Sequence, residues 1–251
     1  MPKSFPTALL CTALLLSPMF SSGQTVEPPP GKAYFSSGGE TIFSMPILDV
    51  GGSDQGSIVR FSPFFNAQGM VNYDLSKSFG LFTGLSIRNQ GFIYQVPDTS
   101  LRFKFRTYNL GVPVGFKVGT MNHTLVFLGY QLEVPINYKE KRFENEKKEE
   151  KFNVWFSDRT EKIFHSVFIG FQGPGSSVLT VRYYLNNFHN KNYTEEKDGI
   201  TYKPYDGLNA NILAISAGFR VFDGRKMSLS GGDAKPKETK AQLGRNNGWY
   251  N

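Results

Sequence analysis

Across residues 108–118, Tyr108, Leu110, Val112, Val114, Phe116 and Val118 alternate with Asn109, Gly111, Pro113, Gly115 and Lys117. A period of two sends successive side chains to opposite faces of a β-strand, so this segment predicts a strand with one wholly apolar face. Residues 128–139 repeat the pattern, with Leu128, Tyr130, Leu132, Val134, Ile136 and Tyr138 opposite Gly129, Gln131, Glu133, Pro135, Asn137 and Lys139. Looser alternation marks residues 59–72, 80–88, 166–172, 179–186 and 212–221, and a weaker pattern covers 41–48. Helix-period runs are missing after the first twenty residues.

The connections between these strands are short at 73–78, 119–123 and 172–177, and longer at 49–56, 95–101, 139–162 and 189–207. Short and long alternate strictly, as they do when periplasmic turns lie on one rim of a barrel and extracellular loops on the other. The reading is therefore all-β: an antiparallel up-and-down transmembrane β-barrel of about eight strands, the even number that bacterial barrels use. A soluble sandwich would turn charged side chains outward, whereas here the second face is narrow and rich in Gly and Pro. That suits a thin barrel interior, which eight strands leave just wide enough for side chains to fill. The charges on that face, Arg60, Arg88, Lys117, Glu133, Arg182 and Arg220, are expected to meet inside as a salt-bridged plug.

Composition supports one domain with tails. Aromatic residues make up 15% of the 251, with 23 Phe and 26 Gly, a usage of strands and turns rather than of long helices. Lys3, the apolar run of residues 8–19 and Ser21-Ser22-Gly23 read as a signal peptide over 1–23. Residues 24–39, with three consecutive prolines and a Ser-Ser-Gly-Gly run, read as a periplasmic linker; the barrel follows over 40–222, then a polar periplasmic tail over 223–251. The single cysteine, Cys11, falls in the signal segment, so no disulfide is expected. The net charge of +7 is spread among carboxylates through most of the chain, which argues against a nucleic-acid footprint.

Candidate chemistry is sparse. The three histidines, His123, His165 and His189, show no metal-ligand spacing, and His165 and Ser166 point to opposite faces of a strand, so they cannot act as base and nucleophile. No catalytic, cofactor or metal residue is assigned. If Tyr108 faces lipid at the outer girdle, Arg102, Lys104 and Arg106 lie on the same outward face above it, at the height of lipopolysaccharide phosphates. The stretch 139–151 is dense in both signs of charge, and Phe152, Trp155 and Phe156 after it are too apolar for an idle loop, which makes them candidates for contact with a partner.

The block Tyr108-Asn109-Leu110-Gly111-Val112-Pro113-Val114-Gly115-Phe116-Lys117 and the run Gly129-Tyr130-Gln131-Leu132-Glu133-Val134-Pro135 resemble the PorT-like outer-membrane barrels of Bacteroidetes. The resemblance covers roughly residues 40–222 and is one of strands and turns rather than of a catalytic signature. It implies a bacterial outer-membrane location and an association with secretion machinery. The expectation is a non-enzymatic barrel with a structural, secretion or adhesion role, bearing on lipid, lipopolysaccharide and a surface protein partner through its loops or tail. Two alternatives stand beside it: a secreted lipocalin-like carrier with apolar residues turned inward, and a lipid-modifying barrel enzyme.

Overall fold

The computed structural model describes residue 31 and residues 33–55, 58–121 and 123–226. Strands β1 (Ala33–Val50), β4 (Ala67–Asp74), β5 (Phe79–Gln95), β6 (Leu101–Gly119), β7 (Leu125–Glu144), β9 (Phe164–Gln172), β10 (Ser177–Tyr184) and β13 (Leu208–Lys226) form the wall. Each pairs antiparallel with its neighbours in that order, and β13 pairs back onto β1, which closes a ring of eight. The short strands β2 (Ser53–Gln55) and β3 (Arg60–Ser62) continue the line of β4 along the edge of β1. Two hairpins rise from the rim that carries the long loops: β8 (Lys147–Trp155) pairs with the upper part of β7, and β11 (Glu195–Lys197) pairs with β12 (Ile200–Tyr202). Among the described residues no helix is long and apolar enough to cross a membrane, which has no bearing on strands.

The barrel begins earlier and ends later than the alternation suggests. Residues 33–39, read as linker, are the first part of β1: Ser36 is fully buried and accepts a hydrogen bond from Asn72 at 2.9 Å. Gly38 is needed there because a Cβ would collide with the Phe219 carbonyl of β13. Close packing between strands thus uses the same Gly and Ser that mimic a linker. Residues 223–226 likewise complete β13. The signal segment 1–23 with Cys11, most of 24–32 and residues 227–251 lie outside the described residues.

The connection at 139–162 is also not a loop. β7 runs on to Glu144, and Asn145 and Glu146 turn the chain with φ of 50° and 64° before β8 returns. Positive φ at both central residues is the turn that matches the twist of a two-residue hairpin. Polar residues fill both faces of this extension, which erases the alternation that would have marked it.

Two prolines fit the ladder at its irregular points. Pro135 sits beside a bulge where the partner of Tyr108 is Asn137 but that of Asn109 is Pro135, leaving Ile136 unpaired. The β5–β6 ladder skips the stretch between Thr83↔Val114 and Ser86↔Gly111, where Pro113 has no N–H to give.

Candidate functional site

The barrel interior is filled in three layers. Toward the short-turn rim, Met70, Phe82, Met121, Leu125, Phe127, Phe168 and Val178 form an apolar cluster. Glycines on neighbouring strands make room for its rings: a Cβ at Gly170 would overlap the Phe127 ring, and one at Gly129 the Phe168 ring. Beside this cluster Lys117 reaches Asp74 at 2.8 Å and Asn72 at 3.1 Å, and also meets Tyr34.

The middle layer is a charge network. Glu133 is fully buried; it accepts hydrogen bonds from Asn109 at 2.8 Å and from Tyr184 at 3.0 Å, and lies 3.7 Å from Arg88 and 4.0 Å from Arg182. Arg88 also pairs with Glu40, whose other oxygen accepts from Ser216 at 2.6 Å. Arg220 donates to Gln172 at 3.3 Å and lies over the Phe127 ring. Five of the six expected interior charges therefore enter the lumen. Arg60 is buried too, but its guanidinium binds Asn89, at 3.1 Å to the carbonyl and 2.5 Å to the side-chain oxygen, and its electrostatic neighbours are Arg106 and Tyr108. Even positions stay on the inward face on both sides of the break at residues 63–66, since Arg60 pairs with Ser44 and Asn72 with Tyr34, but the Arg60 side chain turns to Asn89 of β5 rather than to Glu133.

The third layer closes the long-loop end. Leu48, Phe92, Phe105, Tyr138, Phe164, Phe188 and Ile212 pack together, and the chain after β10 folds over them. Thr160 and His189 form a bridge there, and the His189 ring stacks on Tyr205 at 4.2 Å. Burial, and then the Arg159 cation, lower the His189 pKa to about 3, so this imidazole is neutral at ordinary pH.

Outward positions form the reverse of this interior. Leu110, Val112, Val114, Val118, Val126, Leu128, Leu132, Val134, Ile169 and Leu179 are all exposed and follow one another around the wall. Phe79 and Phe116 stack at its lower edge, and Phe65 meets Tyr108 edge-on at its upper edge. At mid-height the inside is a charge network and the outside apolar, and the apolar clusters above and below fill the interior with their own side chains. A soluble carrier needs an apolar ligand cavity inside and a polar outer surface; this barrel is filled inside and apolar outside, which is against that alternative.

No protein-family model matches the chain, and no curated protein does. Solved structures with a similar fold include Ail, the attachment invasion locus protein of Yersinia pestis, in complex with the heparin analogue sucrose octasulfate. It is 12% identical over 76% of this chain and 99% of that one, with a TM-score of 0.34. Neisserial surface protein A is 15% identical over 75% and 97%, with a TM-score of 0.38. The outer membrane protein OprG of Pseudomonas aeruginosa is 9% identical over 76% and 96%, with a TM-score of 0.33.

Above Tyr108 the outer wall changes character within one residue step. Arg102, Lys104 and Arg106 of β6 share the outward face, paired across the ladder with Phe143, Lys141 and Lys139 of β7; Lys141 pairs in turn with Lys151 of β8. Burial first, and then Arg60, Lys141, Arg106 and Arg102, lower the pKa of Lys104; burial, Arg106, Lys151, Lys141 and Lys148 do the same for Lys139. Each of these lysines is depressed by cations and by no carboxylate, so like charge accumulates on this face without local neutralisation. Arg102 covers the Phe143 ring and Arg106 the Tyr108 ring, which holds both guanidinium groups against the wall. Arg102, Lys104 and Arg106 were legible from parity; Lys139, Lys141 and Lys151 were not, because the bulge at Ile136 reverses parity along β7.

The expected partner trio is divided. Trp155 pairs with Asn137 and Phe156 donates its N–H to Ile136, so both lie at the upper edge of the apolar belt, 63% and 70% exposed. Phe152 pairs with Glu140 on the inward face instead, under the Arg159 guanidinium at 4.2 Å. β8 descends along β7, which puts its end rather than its tip beside the belt. Among the described residues no group of three or more metal-ligating side chains occurs.

Proposed function

We propose that this chain is a non-enzymatic bacterial outer-membrane barrel whose upper wall holds the phosphate groups of lipopolysaccharide. The observation that carries the reading is the cationic face of Arg102, Lys104, Arg106, Lys139, Lys141 and Lys151, set directly above an apolar belt that ends in Tyr108 and Trp155. Amphipathic aromatics sit at membrane–water interfaces, and each Lys or Arg beside an anionic surface contributes about 1 kcal/mol. Trp155 and Phe156 act in this reading as interfacial anchors rather than as a partner patch. The export signal over 1–23, a periplasmic tail that starts after β13 at residue 227 and a PorT-like role in secretion or adhesion belong to the same proposal, with the hairpin tip and the tail as the segments that would meet another protein.

The test is binding of lipopolysaccharide by the purified barrel in neutral-lipid nanodiscs. Changing Arg102, Lys104 and Arg106 together to Gln removes three cations, or about 3 kcal/mol, which is roughly a hundredfold in affinity. The barrel should retain its heat-dependent shift in gel mobility. Binding that is equal for the variant, or equal for dephosphorylated lipopolysaccharide, refutes the assignment.

A further inference from the structure

The long-loop end of the barrel carries a cup of about 700 Å³, walled by the tops of β5–β8 and by the β11–β12 hairpin. Its floor is solid: His189 and Tyr205 stack there, with Phe105 edge-on to His189 at 4.5 Å, and Phe92 and Phe188 lie against them. Whatever enters the cup is held rather than passed through the barrel.

The lining has two characters. One wall is aromatic: Phe103 and Phe105, two residues apart on β6, stack with centroids 5.9 Å apart and planes 4° from parallel, and Tyr94 and Tyr202 flank them. Facing them is a rigid polar network. Arg159 joins Glu140 at 3.3 Å and also pairs with Glu195, while Tyr138 and Tyr205 donate to the same Glu140 oxygen at 2.8 and 3.2 Å. All of these bonds use Oε2 of Glu140; Oε1 has no hydrogen-bond partner among the described residues. Arg142 also has donors to spare: its carboxylate neighbours stand at 3.6 and 3.8 Å, beyond hydrogen-bond distance, and its buried Nε has no partner.

Charge decides what fits. Three carboxylates (Glu140, Glu150, Glu195) line the cup against two arginines (Arg142, Arg159), with Lys151 of the outer wall at its rim, so the lining carries both signs in near balance and favours an ion of neither sign. Aromatic faces suit a ligand with an apolar face, and a free carboxylate oxygen with a free guanidinium edge suits hydroxyl groups that both accept and donate. We propose that the cup binds a neutral sugar, with a pyranose ring laid on Phe103 and Phe105 and its hydroxyls shared between Glu140 and Arg142. The cup meets the cationic outer wall only at Lys151, and the proposed sugar contacts use none of that wall's cations.

Maltose, cellobiose and lactose are the probes, titrated against the purified full-length barrel and read by saturation-transfer NMR. At least one should bind, with an affinity unchanged by added salt because the ligand is neutral. Phe103→Ala and Arg142→Gln should each weaken that binding by about tenfold, while Lys104→Gln on the outer wall leaves it unchanged. The Arg142 side chain is 39% exposed, so its variant retains the barrel if the Phe103 variant does not. Three results overturn the proposal: no binding of any of the three sugars, binding insensitive to Arg142→Gln, or a cup that takes palmitate in place of sugar.

Discussion

An arginine at Val112 would stand near the middle of the apolar belt. Val112 faces outward, 47% exposed, four residues from Tyr108 above and four from Phe116 below on the same face of β6. At about 3.4 Å per residue and a strand tilt near 40°, each of those rings lies roughly 10 Å away along the barrel axis. At that depth a charged residue costs about 2–4 kcal/mol, against about 0–1 kcal/mol near an interface. Val118, two residues beyond Phe116 on the same face, supplies the shallow comparison. Urea titration of the refolded barrel in lipid vesicles, followed by tryptophan fluorescence, measures both. Val112→Arg should lose about 2–4 kcal/mol and Val118→Arg less than about 1 kcal/mol. Equal losses at the two depths, or no loss at Val112, would mean that this face does not contact lipid.

Two further outcomes follow from the interior. His189 has a folded pKa of about 3 against an ordinary 6.5, so the unfolded loop binds the proton more readily and stability falls as pH drops from 6.5 toward 3. At 1.36 kcal/mol per pH unit, acidification to about pH 4 should cost the cap over the lumen roughly 3 kcal/mol. Amide exchange in residues 185–207 should quicken over that window, and His189→Gln should flatten the dependence; exchange that is independent of pH in the native chain counts against a buried neutral imidazole. At Gly170 an added methyl group meets the Phe127 ring, so Gly170→Ala should destabilise by about 1–3 kcal/mol in the same urea titration, and a neutral result would show that the phenyl plug has slack.

The wall was legible because the outer face is uniformly apolar over the middle of β6, β7, β9 and β10, and less so in β1 and β5, where Thr41 and Thr83 interrupt it. Leu110 to Val118 and Leu128 to Val134 could be placed by parity alone. Parity failed where the ladder is irregular, at the bulge of Ile136 that moved Lys139 and Lys141 to the outer wall; Arg60 keeps its inward parity, but its side chain turns to Asn89 of β5 and not to Glu133. The hairpin of β8 was hidden because water on both sides removes the contrast between faces. The phenyl plug was missed although Phe82, Phe127 and Phe168 stand at inward positions. Each is accommodated by a glycine on an adjacent strand, a complementarity that becomes visible only once register is known. Of the cup, Phe152 was noticed, but Glu140 and Arg142 fell within a stretch read only as dense in charge and Arg159 gave no signal, because their convergence depends on the fold of the connection after β8.

The seam between β1 and β13 joins residues about 180 positions apart, the largest separation of any strand pair in the wall, so it carries the largest loop-closure cost. Glu40 lies on that seam, with Arg88 of β5 and Ser216 of β13 as its partners. Glu40 reaches Arg88 through β4, by pairings local in sequence, so that ion pair belongs to the β1–β4–β5 sheet and does not wait for the seam. Closure adds the Ser216 hydroxyl to the second oxygen of the same carboxylate, along with a row of backbone bonds. The clasp of the barrel is therefore a neutral donor set on a carboxylate that is already paired.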